Sequence, residues 1–363
     1  MVEVVYYSPT VPSVRSTVRH VHADAVPTNV ETATLVTESE PPTAVADQYD
    51  EVTVLDGGVL RNARRAARTA EEAATDGPPT LFLTTFHYGP ALAGWLADVP
   101  WVVDVFDDPH QYAYNNPDSY HRITARLLRR LLDRADGAVH DSHHSGPVLS
   151  DDPRYITEGC PTDLVEPSFE TPTDTLRCVW AGSPRLDRGM DVLVDALASL
   201  DTPVVVDVYG DSDAVAYADR HGVSDDLRFH GRTDHAEICS RIGSAHVGLC
   251  VLPDRPDWLH SSPLKVREYM AGGTIPICSD FPGMRLTAEA TATYTEPTSE
   301  ALAGTLERLL SLGRSDPEQF ARKMRFARER AEARPLDTAG EWFVRQAVSS
   351  GLGIDLFCAD GDR

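Results

Sequence analysis

The stretch SSPLKVREYMAGGTIPICSD, residues 261–280, joins a helical pattern to a short apolar strand pattern. Ser262 and Pro263 are residue types that begin helices, because a serine hydroxyl can accept from unpaired amides and proline suits the first helical position. We expect the helix to run to Ala271 and to end at the glycine pair 272–273. The apolar residues that follow then predict a buried strand.

Lys265 is one of only two lysines in a chain of 363 residues, in which 33 residues are basic. It lies three positions before Glu268, so the two side chains share one face of the expected helix. Its place in the first turn, near the unpaired amides and partial positive charge of a helix N-terminus, suits it to bind a phosphate group. A solvated lysine that pairs with Glu268 fits equally well, so the segment alone leaves both interpretations open.

Apolar runs typical of buried strands alternate with helical patterns on both sides of this segment. In the first half of the chain the strand patterns include VEVVYY, TATLVT, TLFLTTF and WVVDVF, and in the second half LRCVWAG, PVVVDVYGD and VGLCVLP. Such alternation predicts βαβ units with parallel sheets. A stretch rich in proline and threonine, CPTDLVEPSFETPTDT at 160–175, interrupts the alternation and is typical of a linker.

The length of the chain exceeds what one core usually organises. The sequence therefore predicts an α/β protein with two Rossmann-like, doubly wound parallel-sheet domains that face each other across a cleft. We expect an N-terminal domain over 1–168 and a C-terminal domain over 169–340. Residues 341–363 are expected to form a C-terminal helix and tail that pack back on the N-terminal domain, because Trp342 and Phe343 require burial.

The formal net charge of −23 arises from 56 acidic and 33 basic residues spread along the whole chain. A nucleic-acid partner is not expected, because neutralising phosphates requires a basic face. The charge also argues against an electrostatic membrane anchor. An acidic chain with almost no lysine fits a halophilic source, which is a hypothesis from composition.

The six cysteines form no CxxC pair, and several lie in strand patterns, so we expect reduced thiols that pack in the core. The N-terminal MVEVVYYSPT lacks a basic region followed by an apolar stretch, and no apolar run is long enough to span a membrane. These features predict a cytoplasmic protein.

Four stretches, taken in order, resemble the family 4 glycosyltransferases (glycosyl transferases group 1) of GT-B fold. They are residues 261–280, VWAGSPRLDRGMDVLVDAL at 179–197, VVVDVYGD at 204–211 and LRFHGRTDHAEICSRIGSAHVGLCVLP at 227–253. No single stretch is specific, but the ordered set is. The N-terminal half is similar more loosely, through VPWVVDVFDDP, RADGAVHDSHHS and GCPTDLVEP.

The resemblance implies transfer of a sugar from a nucleoside diphosphate sugar, with retention at the anomeric carbon and without a metal or other cofactor. Positive charge for the leaving diphosphate must then come from the protein, and Lys265 and Arg188 match the family's two phosphate-facing cations. Glu268 matches the glutamate that accepts hydrogen bonds from the ribose hydroxyls. The other donor-binding positions that the resemblance implies are Gly182, Ser183, Gly210, Ser262 and Leu264.

The acceptor side is less well defined, and a glycan, a lipid-linked glycan and a small metabolite all fit. Asp107, after the WVVDVF strand, is our candidate for the residue that orients the acceptor hydroxyl, although a turn capped by its side chain explains it too. His87 also follows a strand, and a structural role is the alternative. Two positions depart from the family pattern, because His260 replaces a second glutamate and the loop SPTVPSVRST carries Arg15 instead of several glycines.

Other functions stay open from the sequence. DVFDD also fits a metal-binding motif of a GT-A glycosyltransferase, and the fold also suits a nucleotide-sugar epimerase or a partner subunit that binds a nucleotide sugar without catalysis. The segment ITARLLRRLLDR at 123–134 places arginines around leucines. It fits a core-packed helix, with peripheral association at the inner face of a membrane as the alternative.

Overall fold

The computed structural model describes residues 2–75, 77–106, 126–127, 130–140, 153–155, 158–256 and 258–356. Contacts divide the chain into two compact units, the first formed by Met1–Gly159 with Leu336–Arg363 and the second by Cys160–Pro335. Each unit contains one parallel sheet with flanking helices. The predicted fold class, α/β with two doubly wound Rossmann-like sheets, is confirmed.

The sheet of the first unit has seven parallel strands in the order β3-β2-β1-β4-β5-β6-β7. The strands are β1 (Glu3–Tyr7), β2 (Thr32–Thr37), β3 (Glu51–Val54), β4 (Thr80–Thr85), β5 (Trp101–Val105), β6 (Gly137–His140) and β7 (Pro153–Tyr155). The helices with defined bounds before the second unit are α1 (Val18–Asn29), α2 (Thr43–Ala46), α3 (Val59–Ala73) and α4 (Tyr88–Leu96). The strand order reverses between β1 and β4, which is the point where open sheets of this type bind ligands beyond their carboxyl ends.

The sheet of the second unit has six parallel strands in the order β10-β9-β8-β11-β12-β13. The strands are β8 (Leu176–Ala181), β9 (Val204–Tyr209), β10 (Leu227–Gly231), β11 (Val247–Cys250), β12 (Ile275–Ser279) and β13 (Thr293–Thr295). The helices are α5 (Met190–Ala198), α6 (Val215–His221), α7 (His235–Ser244), α8 (Leu264–Ala271), α9 (Pro282–Ala288), α10 (Ser299–Ser315) and α11 (Pro317–Glu332). Here the strand order reverses between β8 and β11.

The apolar strand patterns form the central strands because a parallel sheet covered on both faces buries successive side chains. Every residue of β4, β5 and β12 is buried. The cysteines Cys178, Cys250 and Cys278 are buried free thiols, as the sequence predicts.

The C-terminal helix α12 (Leu336–Leu352) packs against α1 within the first unit. The His22 ring stacks on the Phe343 ring, with centroids 3.6 Å apart. Gly340 allows this close approach, because a Cβ there would lie 2.7 Å from the Cβ of Ala25. The expected burial holds for Phe343 but is wrong for Trp342, which is 45% exposed because it lies on the outer face of the helix.

A buried polar network joins the strands of this unit to α1. The Tyr6 hydroxyl donates to Oδ2 of Asp104 at 3.0 Å, and Nδ1 of His22 lies 3.0 Å from the same oxygen. All three side chains are buried. The network therefore connects β1, β5 and α1 beneath the α12 helix.

The contacts of residues 160–168 place this segment in the second unit, whereas the sequence prediction put the boundary after residue 168. The Ser168 amide donates to the Gly243 carbonyl at 2.9 Å, and Nη1 of Arg328 donates to the Val165 carbonyl at 2.8 Å. The chain leaves the second unit at Pro335, five residues before the predicted boundary.

Candidate functional site

Two glycines follow neighbouring strands at the carboxyl edge of the second sheet. Gly182 follows β8 with φ +98° and is exposed, as is Ser183 beside it. Gly210 follows β9 with φ +120°, and its amide donates to the Gly231 carbonyl at 2.7 Å. A Cβ on Gly182 would meet nothing within 4 Å, so its backbone is open to close approach by a ligand.

Gly210 is required for a different reason. A Cβ at this position would collide with the carbonyl of Gly182 and lie 2.9 Å from Cδ of Pro184. Since its φ also lies in the left-handed region, only glycine fits without strain. Gly210 therefore supports the loop that Gly182 begins and does not itself present an open backbone.

The Lys265 helix, α8, begins at Leu264, and Pro263 is the residue that precedes it. The prediction that Ser262 caps the helix is wrong, because it lies one residue too far from the first turn. Its Oγ instead accepts from the Thr287 hydroxyl at 2.7 Å, which ties the approach to the helix to α9. The predicted end is confirmed, since α8 ends at Ala271 and Gly273 has φ +64°.

Tyr269 fixes α8 against the ends of β8 and β11. Its hydroxyl accepts from the Ala181 amide at 3.0 Å and donates to the Leu249 carbonyl at 3.2 Å. Gly248 makes room for the ring, because a Cβ there would overlap it. This places the first turn of α8 at the point where the strand order reverses.

Lys265 lies over the face of Trp180, with Nζ 4.2 Å from the ring centroid. An ammonium is attracted by the electron-rich face of an indole, yet the ring does not neutralise its charge as a carboxylate would. Burial lowers the pKa of Lys265, and the nearby positive charge of Arg188 lowers it further. The interpretation of a solvated lysine paired with Glu268 is wrong, because no carboxylate of a described residue lies within ion-pair distance of Nζ.

Arg188 is the second cation that the structure brings to this edge. It ends a 3₁₀ turn at Leu186–Arg188, and the following Gly189 has φ +94° and packs against the Val251 carbonyl. The Arg188 guanidinium lies 5.3 Å from the ring centroid of Trp258. Both cations are therefore held over tryptophan faces, close enough that one influences the protonation of the other.

Glu268 is buried at 4% exposure and pairs with a residue that the sequence analysis missed. Nε2 of His235, the first residue of α7, lies 2.7 Å from Oε1 of Glu268. The two residues are 33 positions apart, so no local spacing could have indicated the contact. Leu264, at the start of the same helix as Glu268, is half-buried.

The acceptor-side candidates fall in the first unit. Asp107 lies outside the described residues. His87 precedes α4, with Nδ1 3.4 Å from the Thr85 hydroxyl, and burial together with the charge of Arg19 lowers its pKa to about 4. Arg15 is exposed and lines a cavity of about 480 Å³ between α1 and α12, together with Asp24.

Arg19 is a cation near the end of β1 that the sequence analysis missed. Its Nη1 donates to the Thr10 hydroxyl at 2.7 Å, and its guanidinium lies 5.3 Å from the Phe106 ring centroid. It belongs to α1, to which the sequence analysis assigned no element. His260 is half-buried in the turn before α8, and its backbone contacts Gly283 closely enough to exclude a side chain there.

Within the part of the chain that the structure describes, no group of three or more His, Cys, Asp or Glu side chains is placed to hold a metal ion. In the same residues, no helix is both long and apolar enough to cross a membrane.

Comparison with solved structures places both units in one known architecture. Sucrose-phosphate synthase from Thermosynechococcus elongatus is similar over 93% of this chain and 96% of its own, with a TM-score of 0.72 and 17% sequence identity. HepE of Anabaena, in complex with UDP and glucose, covers 96% of this chain and 99% of its own, with a TM-score of 0.71 and 16% identity. A glycosyltransferase from Rickettsia africae is similar over 96% of this chain and 98% of its own, with a TM-score of 0.69 and 15% identity. The fold is therefore GT-B.

Part of the second unit matches a family model. Residues 175–312 match the model of the family described as Glycosyl transferases group 1. This match confirms the resemblance to the group 1 glycosyltransferases over the residues that it covers. No curated protein sequence gives a significant match.

Proposed function

We propose that the protein is a retaining, metal-independent glycosyltransferase that moves a sugar from a nucleoside diphosphate sugar to an acceptor hydroxyl. One observation supports this most directly. At the switch point of the second sheet, the Lys265 ammonium lies over the Trp180 ring and the Arg188 guanidinium lies near it. Among the residues that the structure describes, neither cation forms an ion pair with a carboxylate, so the two together suit a group that carries more than one negative charge.

The leaving diphosphate is the group in the reaction that fits this environment. When the bond between the anomeric carbon and the diphosphate oxygen breaks, the electron pair stays on that oxygen. Lys265 and Arg188 stabilise the developing charge, and the open Gly182 backbone permits a close approach of the phosphates. The bond from the anomeric carbon to the acceptor oxygen forms, and the proton of the acceptor hydroxyl passes to the departing diphosphate oxygen.

The donor nucleoside is assigned to the neighbouring part of the same edge. Glu268 accepts hydrogen bonds from the ribose hydroxyls in this proposal, as the family resemblance implies. The complex of HepE with UDP and glucose supports a nucleotide-sugar donor for a protein of this fold. Retention and independence from metal rest on the family resemblance, and the two cations supply the charge that a metal would otherwise provide.

The acceptor is proposed to bind at the carboxyl edge of the first sheet, where His87 and Arg19 lie close together. A glycan, a lipid-linked glycan and a small molecule all offer the hydroxyl that the reaction needs. We place the protein in the cytoplasm. Trp95 is exposed, and the Arg134 guanidinium lies 5.4 Å from its ring centroid. This pair suits contact with the inner face of a membrane. Sedimentation with anionic and neutral vesicles tests this association.

The proposed function is tested by thermal unfolding in the presence of UDP, GDP and ADP, each beside its monophosphate, with and without EDTA. A ligand at about 100 times its Kd stabilises the folded state by about 2.7 kcal/mol, so a diphosphate that binds raises the Tm. We expect one diphosphate to raise the Tm more than its monophosphate does, and EDTA to leave that difference unchanged. No response to any nucleotide would contradict the proposal.

A transfer assay with the sugar form of the binding nucleotide then separates the remaining alternatives. A glycosyltransferase releases the diphosphate only when an acceptor is consumed. An epimerase changes the donor without any acceptor, and a non-catalytic subunit binds the donor but releases nothing. A GT-A type enzyme loses its activity in EDTA.

A further inference from the structure

The Glu268 carboxylate contacts a histidine on another helix. His235 begins α7, and its Nε2 lies 2.7 Å from Oε1 of Glu268. The Glu268 side chain is 5% exposed, whereas that of His235 is 24% exposed. The carboxylate is therefore buried, and the histidine lies on the side of the pair that is nearer to solvent.

The surroundings of His235 favour its charged form. The Sγ of Cys239, one helical turn further along α7, lies 3.6 Å from Nε2. The hydrogen bonds with Cys239 and with Glu268 raise the pKa of His235 to about 10. At neutral pH the imidazole is thus a cation that donates to the carboxylate, and such charge-assisted hydrogen bonds are short and directional.

We infer that His235 is a positioning residue of the donor ribose site, which holds the Glu268 carboxylate in the orientation that accepts both ribose hydroxyls. This inference rests on the proposed function. A glutamate that is fixed before the ligand binds loses less side-chain entropy on binding than a mobile one. The site should therefore select ribonucleotides over 2′-deoxyribonucleotides, and this selection should depend on His235.

Two other histidines of the second unit, His246 and His221, make contacts of a different kind. Nδ1 of His246 accepts from the Arg177 amide at 3.0 Å. The side chain is buried at 1% exposure, and burial lowers its pKa to about 4. His221 ends α6 on the surface, with Nε2 3.6 Å from Asp195. Among these three, only His235 contacts a residue assigned to the donor.

The test measures the affinity of UDP, GDP and ADP, each beside its 2′-deoxy form, by calorimetry on the full chain. The variants are H235A, H235Q and H235N, with H221A as the matched control. Glutamine places an N–H donor about where Nε2 of histidine lies, whereas asparagine is too short to reach Glu268. We expect H235A and H235N to bind the ribonucleotide about tenfold more weakly and to lose the preference over the deoxy form, as expected for losing a hydrogen bond to a charged group.

In the same experiment H235Q should remain within about threefold of the wild type, and H221A should be unchanged. A structural role alone would alter the Tm without altering the ratio of the two affinities. If H235N keeps both the wild-type affinity and the wild-type ratio, the inference is overturned while the proposed function stands. If the wild type binds none of the three diphosphates, the proposed function and this inference fall together.

Discussion

Nζ of Lys265 lies 4.2 Å from the centroid of the Trp180 ring, so the ammonium rests on an aromatic face and not on a carboxylate. Trp180 is the last residue but one of β8, and Lys265 lies in the first turn of the helix after β11. These strands are neighbours in the sheet although they are far apart in the chain. The contact exists because the topology brings both strand ends to the switch point.

The lowered pKa of Lys265 predicts an alkaline limit to activity. Its ordinary pKa is 10.5, and burial moves it downward, so the ammonium loses its proton at a lower pH than a free lysine does. If the charged form is required, kcat is at its maximum below the lowered pKa of Lys265 and falls as the pH rises through that pKa. A profile of kcat from about pH 7 to about pH 11 checks this.

The variant K265R provides the comparison for that profile, because a guanidinium stays charged over this range. The arginine variant is expected to have a lower kcat but to lose the alkaline limb. An alkaline limb at an unchanged pH in K265R would assign the ionisation to another group.

Glu268→Ala should weaken donor binding far more than it lowers the rate at saturating donor. The ribose hydroxyls take part in neither bond breaking nor bond making, so their contacts contribute about equally to the ground state and the transition state. We expect Kd for the diphosphate to rise about tenfold or more, with kcat lower by less than about threefold. Glu237→Ala, an exposed glutamate on α7, is the control, and unchanged affinity in the Glu268 variant would contradict the assignment.

Gly210→Ala should destabilise the second unit more than Gly222→Ala does. Both glycines have φ in the left-handed region, at +120° and +71°, but only at Gly210 would a Cβ strike backbone atoms. We expect about 1 kcal/mol for Gly222→Ala from strain alone and about 3 kcal/mol for Gly210→Ala. Urea unfolding measures both, and equal losses would show that the contact with Gly182 has no energetic weight.

Asp104→Ala should destabilise the first unit, because it leaves the buried Tyr6 hydroxyl and the His22 ring without their common acceptor. The expected loss is about 3 kcal/mol in the free energy of unfolding, whereas Asp98→Ala on the surface should cost less than about 0.5 kcal/mol. Urea unfolding at a fixed salt concentration distinguishes them. A loss as small as that of Asp98→Ala would mean that water or relaxation satisfies the network.

The parts of the fold that could be predicted are those with a strong local signal. Apolar runs such as 176–181 and 204–209 became strands because a doubly covered parallel sheet needs them, and the glycine pair 272–273 marked the end of α8. The helix α1 was missed because its sequence VRHVHADAVPTN contains histidines and a proline, which weaken a helical pattern.

Only those residues of the candidate site that match the family pattern could be predicted from the sequence. Lys265 and Arg188 were proposed as site residues through the resemblance. The tryptophans beneath them, Trp180 and Trp258, were not predicted, since these contacts depend on the folded sheet edge. The pairing of Glu268 with His235 crosses between two helices and has no local sequence signal. Ser262 was misassigned because a serine before a proline looks like a cap whether or not the helix begins one residue later.

The most direct test of the central claim compares the two lysines of the chain. Lys265→Ala and Lys323→Ala each remove one ammonium, but Lys323 is exposed on α11 and lies outside the proposed site. With the donor and acceptor saturating, we predict that kcat falls about 100-fold or more in Lys265→Ala and stays at the wild-type value in Lys323→Ala. A loss of less than about threefold in Lys265→Ala would show that this ammonium does not meet the charge of the departing diphosphate.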